Sequence, residues 1–154
     1  MKFKDIVSPV RKRFWLLMPA LLGALMIFGT FSCRQSEEWN EMPDNVADFV
    51  EHYFPTYEVS NFTKGTNSYH VRLDNGPGLT FDRNGDWVAI DGYGMPLPQV
   101  LLFDQLPPKM YGYLQETEVL NGVFSIERDA AAYSATLLES TLRYIIATGE
   151  LTMR

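Results

Sequence analysis

Residues 68–91 read SYHVRLDNGPGLTFDRNGDWVAID, and their alternation decides the fold. Tyr69, Val71 and Leu73 alternate with Ser68, His70, Arg72 and Asp74, the period of two expected of a strand with one buried and one open face. Asn84-Gly85 suits a two-residue type I′ turn, because both central residues of that turn take positive φ. Centred there, the turn pairs Phe81 with Val88 and Leu79 with Ile90 on one face, and leaves Thr80, Asp82, Trp87 and Ala89 on the other. Asn75-Gly76-Pro77 is then expected to form a three-residue loop that sets Leu73 against Leu79 and Val71 against Phe81. A two-residue loop would pair Leu79 with Arg72 and bury a charge. Three consecutive antiparallel strands result.

Upstream of them, Val46, Phe49, Val50, Tyr53 and Phe54 recur at the spacing of one helical face. Asp44 or Asn45 is the expected cap and Pro55 the stop. Residues 57–63 alternate as a first strand, with Tyr57, Val59 and Asn61 opposing Glu58, Ser60 and Phe62. Downstream, GYGMPLP at 92–98 is a connection rich in breakers, and the apolar stretch 99–106 is too short and proline-bounded to assign.

The second half copies the first. A displacement of 64 residues brings Pro43 onto Pro107, Val46 onto Met110, Val50 onto Leu114, Val59 onto Val123, Tyr69 onto Tyr133, Leu73 onto Leu137 and Gly85 onto Gly149. Each match joins residues with the same structural task, which identifies a repeat despite low identity. The copy comprises a helix over about 108–118, with Met110, Tyr113, Leu114 and Thr117 inward, and strands over 123–128, 133–138, 141–148 and 150–153. Two-residue turns at Glu139-Ser140 and Thr148-Gly149 would align Tyr133, Ala135, Leu137, Leu142, Tyr144, Ile146, Leu151 and Met153 on one face. The expected fold is α+β: two tandem helix-plus-four-strand repeats, about 43–98 and 107–154, forming a curved eight-stranded antiparallel sheet with helices on one face.

Residues 1–32 form a leader, with Lys2, Lys4, Arg11, Lys12 and Arg13 ahead of an apolar run from Phe14 to Phe31. The run closes on Ser32-Cys33 and resembles a bacterial lipoprotein signal peptide, so Cys33 is the expected lipid-bearing residue. The alternative is a retained membrane anchor, for which the run is just long enough. Residues 33–42 are an acidic tether, in which Glu37-Glu38 resembles the export signal of some surface-exposed lipoproteins. A periplasm-facing protein is the alternative. Of 13 basic and 19 acidic residues in the chain, eight and eighteen remain after the leader, a net of −10. With no basic cluster, a nucleic-acid partner is excluded. A single cysteine excludes an intramolecular disulfide.

The pattern FVxxYFP (Phe49 to Pro55), YxVxLxNG (Tyr69 to Gly76), FDxxGxW (Phe81 to Trp87), Ile90-Asp91 and LPxxM (Leu106 to Met110) resembles the PepSY-like family of small exported proteins, similar in fold to the β-lactamase-inhibitor protein. The second copy lacks the aspartate and tryptophan of FDxxGxW. The resemblance covers about residues 43–154. It implies a concave sheet with a free face, which the inhibitor relative uses to grip another protein, and it implies no enzymatic activity.

The residues themselves offer little chemistry. Asp82, Asn84 and Asp86 space oxygens as a calcium loop would, but Tyr93 stands where the loop's last carboxylate belongs, and a plain turn accounts for the rest. His52 and His70 lack a third zinc ligand. No cofactor, metal or catalytic set is expected. The expected binding face holds Trp87, His70, Arg72, Thr80 and Asp82, with Trp87 as an interface anchor. The alternative has Trp87 covered by the 92–106 connection or paired across the sheet. A lipid-anchored envelope binding module, a protein or peptide binder or inhibitor, is therefore set against a hydrolase using surface carboxylates and a passive structural protein.

Overall fold

The computed structural model describes residues 41–154; the leader, Cys33 and all but the end of the tether lie outside the described residues. One antiparallel sheet holds eight strands in chain order: β1 (Val59–Lys64), β2 (Ser68–Leu73), β3 (Gly78–Asp82), β4 (Trp87–Asp91), β5 (Ser125–Arg128), β6 (Ala132–Thr136), β7 (Thr141–Ile145) and β8 (Glu150–Met153). Helix α1 (Asp44–Tyr53) precedes β1, and helices α2 (Gln99–Gln105) and α3 (Pro108–Glu116) connect β4 to β5. The expected α+β architecture is what forms. Its two halves join where β4 pairs with β5, Ile90 opposite Ile126. The stretch 99–106, unassigned from sequence, is mostly α2.

Period-two alternation sorts side chains into rows that cross the sheet. Phe62, Val71, Leu79, Ile90, Ile126, Ala135, Leu142 and Met153 are successive cross-strand partners, and all but Met153 at the edge are buried. The neighbouring row is Thr63, His70, Thr80, Ala89, Glu127, Ser134, Arg143 and Thr152, in which alanine is the only apolar side chain. The helices cover the first row. Val46, Val50 and Phe54 on and just after α1, Leu101 and Leu102 on α2, and Met110 and Leu114 on α3 are each at most 4% exposed. Burying a side chain of this size contributes about 1.5 to 3 kcal/mol, so these positions are what hold the helix layer down. Met42, 6% exposed, belongs to this core, and the folded region takes in the last residue of the expected tether.

The repeat is visible in the contacts. Neither Asp44 nor Asn45 caps α1; Pro43 occupies that position with no side-chain hydrogen bond. Asn45 Nδ2 instead donates to Asn84 O at 2.9 Å. Sixty-four residues on, Pro107 stands before α3, and Lys109 Nζ donates to Gly149 O at 2.6 Å. In both halves the first helical turn is thus tied to the turn of the last hairpin. Gly85 and Gly149 both sit in the left-handed region, at φ 80° and 66°, where a side chain is disfavoured.

Four registers besides that of the β3–β4 turn depart from expectation. Between β2 and β3 the three-residue loop is Asp74-Asn75-Gly76, closed by Leu73 N–H donating to Pro77 O at 3.1 Å. Val71 therefore faces Leu79 and Tyr69 faces Phe81, a slip of two residues that leaves every side chain on its expected face. The β6–β7 loop is Leu138-Glu139, with Leu137 N–H donating to Ser140 O at 2.8 Å; here too the slip is two. The β7–β8 loop takes up residues 146–149, with Gly149 N–H donating to Ile145 O, so Ile146 is exposed in the loop rather than inward. In β1 a bulge between Val59 and Asn61 turns Phe62 inward and Asn61 outward, because one extra residue inverts the alternation. On α3, Met110 and Leu114 are buried and Tyr113 half-buried, while Thr117, at the end of the helix, is exposed.

Candidate functional site

The turn after β3 settles which side chains the helix-free face presents. Gly85 N–H donates to Asp82 O at 3.0 Å and Asp82 N–H to Asp86 O at 2.8 Å, which makes Arg83-Asn84-Gly85 a three-residue loop with a single positive φ, at Gly85. Asp82 Oδ1 favours this turn by accepting Asn84 N–H at 2.8 Å and Asp86 N–H at 3.0 Å. Phe81 consequently faces Trp87, and a bulge restores Thr80 opposite Ala89 and Leu79 opposite Ile90. One residue of slip near the turn moves Trp87 to the other side of the sheet.

Trp87 is therefore no part of the binding face. It is 2% exposed, and the 92–106 connection covers it as the alternative had it. Trp87 Nε1 donates to Gln105 Oε1 at 2.8 Å, Gln105 Nε2 to Tyr53 OH at 2.7 Å, and Tyr53 OH to Asp104 Oδ2 at 3.2 Å. This chain joins β4, α2 and α1. Desolvation first, with the Asp104 carboxylate adding to it, raises the Tyr53 phenol above its ordinary range against the Gln105 hydrogen bond. On the other side the Arg128 guanidinium lies 4.6 Å from the Trp87 ring centroid, its Nε donates to Trp87 O, and it pairs with Asp86 at 3.7 Å.

Asp82 and Asp86 are thereby engaged, one in holding a turn and one in an ion pair. Among the described residues no group of three or more His, Cys, Asp or Glu could hold a metal. Cys33, the remaining site residue expected from sequence, lies outside the described residues.

His70, Arg72 and Thr80 do share the open face. His70 bridges Ser68 Oγ at 3.0 Å through Nε2 and Thr80 Oγ1 at 3.2 Å through Nδ1. In a Ser-His-Asp arrangement a carboxylate at that second nitrogen orients the imidazole; here a threonine hydroxyl stands there.

The residue missed from sequence is Tyr93. The Arg72 guanidinium lies 4.5 Å from its ring centroid and Arg72 Nη1 donates to its hydroxyl at 2.9 Å. Tyr93 is 54% exposed, holds φ at 49°, and donates its N–H to Asp91 Oδ1 at 2.7 Å. Two glycines make its pose possible. A Cβ on Gly78, the cross-strand partner of Arg72, would lie 2.6 Å from the Tyr93 hydroxyl, and a Cβ on Gly92 would run into the Met95 carbonyl. The available signal was an aromatic between glycines at a strand end; the glycine–arginine pair beneath it follows only from the observed β2–β3 register. Around this pair is a concavity of about 400 Å³, bordered by Asn61, His70, Thr80, Asp91, Ser125 and Glu127. Amides, hydroxyls, opposite charges and one aromatic suit it to recognition by hydrogen bonds and stacking.

No protein-family model matches the chain, and no curated protein matches it. Solved structures do. A candidate calcium-regulated periplasmic protein from Bacteroides thetaiotaomicron is 22% identical with a TM-score of 0.63, over 75% of this chain and 91% of that one. A candidate periplasmic protein of the DUF2874 family from Bacteroides vulgatus is 21% identical with the same TM-score and coverage. A third, a candidate periplasmic protein of unknown function from Bacteroides vulgatus, is 22% identical at TM-score 0.63, over 75% of this chain and 93% of that one. At such identity the likeness carries the fold alone.

Proposed function

We propose that this protein is a lipid-anchored binding module of a Gram-negative cell envelope, a protein or peptide binder or inhibitor that works without catalysis through the helix-free sheet face. The observation that carries this reading is the Arg72–Tyr93 pair, an arginine and a tyrosine set in place by two glycines at a polar concavity. Those two residue types are enriched among interface hot spots, and ordering them in advance lowers the cost of binding. The sequence resemblance to the PepSY-like family, and through it to an inhibitor fold, points the same way, as do the periplasmic descriptions of the three structural neighbours.

Affinity capture from envelope extract tests the face. Tyr93→Ala and Arg72→Ala are each expected to weaken partner capture by about 2 kcal/mol or more, as truncation of a hot spot does. As the pair is exposed at the surface, stability should change by less than about 1 kcal/mol. Capture that both variants retain would remove the face from consideration. The anchor is tested separately. Metabolic labelling with a fatty acid should mark the protein, and Cys33→Ala should abolish the label; equal labelling of both would sink the lipid assignment.

A further inference from the structure

Two rows on the open face set an arginine and a carboxylate on either side of a small residue, across three adjacent strands. Arg72, Gly78 and Asp91 form one on β2, β3 and β4; Arg143, Ser134 and Glu127 form the other on β7, β6 and β5. At about 4.8 Å between strands, the charged residues of each row stand about 10 Å apart at the backbone. Neither row closes its ion pair. In the first row Tyr93 fills the gap over Gly78, with Arg72 on its ring and hydroxyl and Asp91 on its N–H. In the second the corresponding space is open, a concavity of about 220 Å³ bordered by Glu127, Arg128, Asp129, Ser134 and Arg143. Arg143 Nε–H is buried there without an acceptor, an uncompensated donor that a bound group can satisfy once the side chain turns toward it.

We propose that the gap over Ser134 receives a tyrosine side chain of the bound protein or peptide, with Arg143 covering its ring and donating to its hydroxyl as Arg72 does to Tyr93. This deepens the reading above and rests on it. The charges select the occupant. Asp129 Oδ1 accepts the N–H groups of Ala131 at 2.7 Å and Ala132 at 2.8 Å. Those bonds, with the Arg143 charge, hold its carboxyl below the usual carboxylate range. The lining thus sets two arginines, Arg128 and Arg143, against two carboxylates, Glu127 and Asp129, a balance of charge that suits a neutral ligand with hydrogen-bonding groups better than a net ion. A neutral planar ring keeps the stacking with the guanidinium. Its hydroxyl can accept from Arg143 and donate to Glu127. Ser134 has a Cβ where Gly78 has none, so the ring rides higher than Tyr93 does, and the serine hydroxyl offers a further partner.

The test is a titration of the isotopically labelled protein with N-acetyl-tyrosinamide, followed by NMR at the Arg143 side chain and at the amides of Ala132 and Ser134. Saturable shifts are expected there, with affinity falling roughly five-fold or more in both Arg143→Ala and Arg143→Lys, since lysine keeps the charge and loses the planar stack. N-acetyl-phenylalaninamide should bind more weakly for want of the hydroxyl. Glu127→Gln, which keeps shape and backbone, should weaken binding even if the arginine variants disturb the fold. Shifts that do not saturate, survive loss of Arg143, or are reproduced by acetate at equal concentration would overturn the assignment, the last by making this an anion site. The readout uses no captured partner, so capture that depends on Tyr93 and Arg72 would stand if this failed.

Discussion

Trp87→Ala should cost roughly 3 to 5 kcal/mol or more, at least as much as Phe81→Ala, because both remove a large buried aromatic and leave a cavity. Each side chain is at most 2% exposed. Phe81 packs edge-on against Phe49, ring centroids 5.3 Å apart, while Trp87 lies 6.2 Å from Tyr133 and beneath Arg128. The tryptophan variant has a second penalty. Gln105 Oε1 loses its donor, and an orphaned polar group in a partly buried site costs about 1 to 3 kcal/mol. Trp87→Phe separates the two effects, since it keeps most of the apolar volume and loses the hydrogen bond. Denaturant melts give the comparison directly: Trp87→Ala as stable as the parent protein would mean the side chain is not in the core. The same result would reinstate it on the open face.

Ending the chain at Gln105 is expected to abolish cooperative folding. The cut removes β5 and leaves β4 as a bare edge, with Ile90, now opposite Ile126, exposed to solvent. It also removes Met110, Leu114, Val123, Ile126, Ala135 and Leu142, every one buried at 1% exposure or less. A half-size domain with half a core and an unprotected apolar edge has too little burial to offset its chain entropy, and its edge invites aggregation. A broad, non-cooperative melt or precipitation is the expected outcome. Clean two-state unfolding of the fragment would show that the first repeat is a folding unit on its own.

Arg72 and His70 were legible from sequence as open-face residues because strand β2 alternates without interruption. Tyr93 was not, because its position depends on a long-range coincidence: Gly92 turns the chain back, and Gly78, fourteen residues earlier in sequence, leaves the hollow into which the ring settles. Arg143 could be placed on the open face, but its unsatisfied Nε–H and the Asp129 turn beside it are matters of packing. Nothing in local sequence carries either.

By itself the sequence determined the class of fold, the repeat and the sorting of most side chains between two faces, because period-two and helical patterning are local and survive errors that are even in number. The β2–β3 and β6–β7 loops are each displaced by one residue from where spacing put them, yet the pairings shift by two and the faces stay as read. In the odd cases tertiary contacts tipped the balance. At the β3–β4 turn the Asp82 carboxylate, the Asn45 side chain on Asn84 O, and the Gln105 acceptor on α2 all favour the three-residue loop with its bulge. The type I′ propensity of Asn84-Gly85 is a smaller, local preference. Contacts from two helices outweighed it, and a single residue of slip carried Trp87 from the expected binding face into the core.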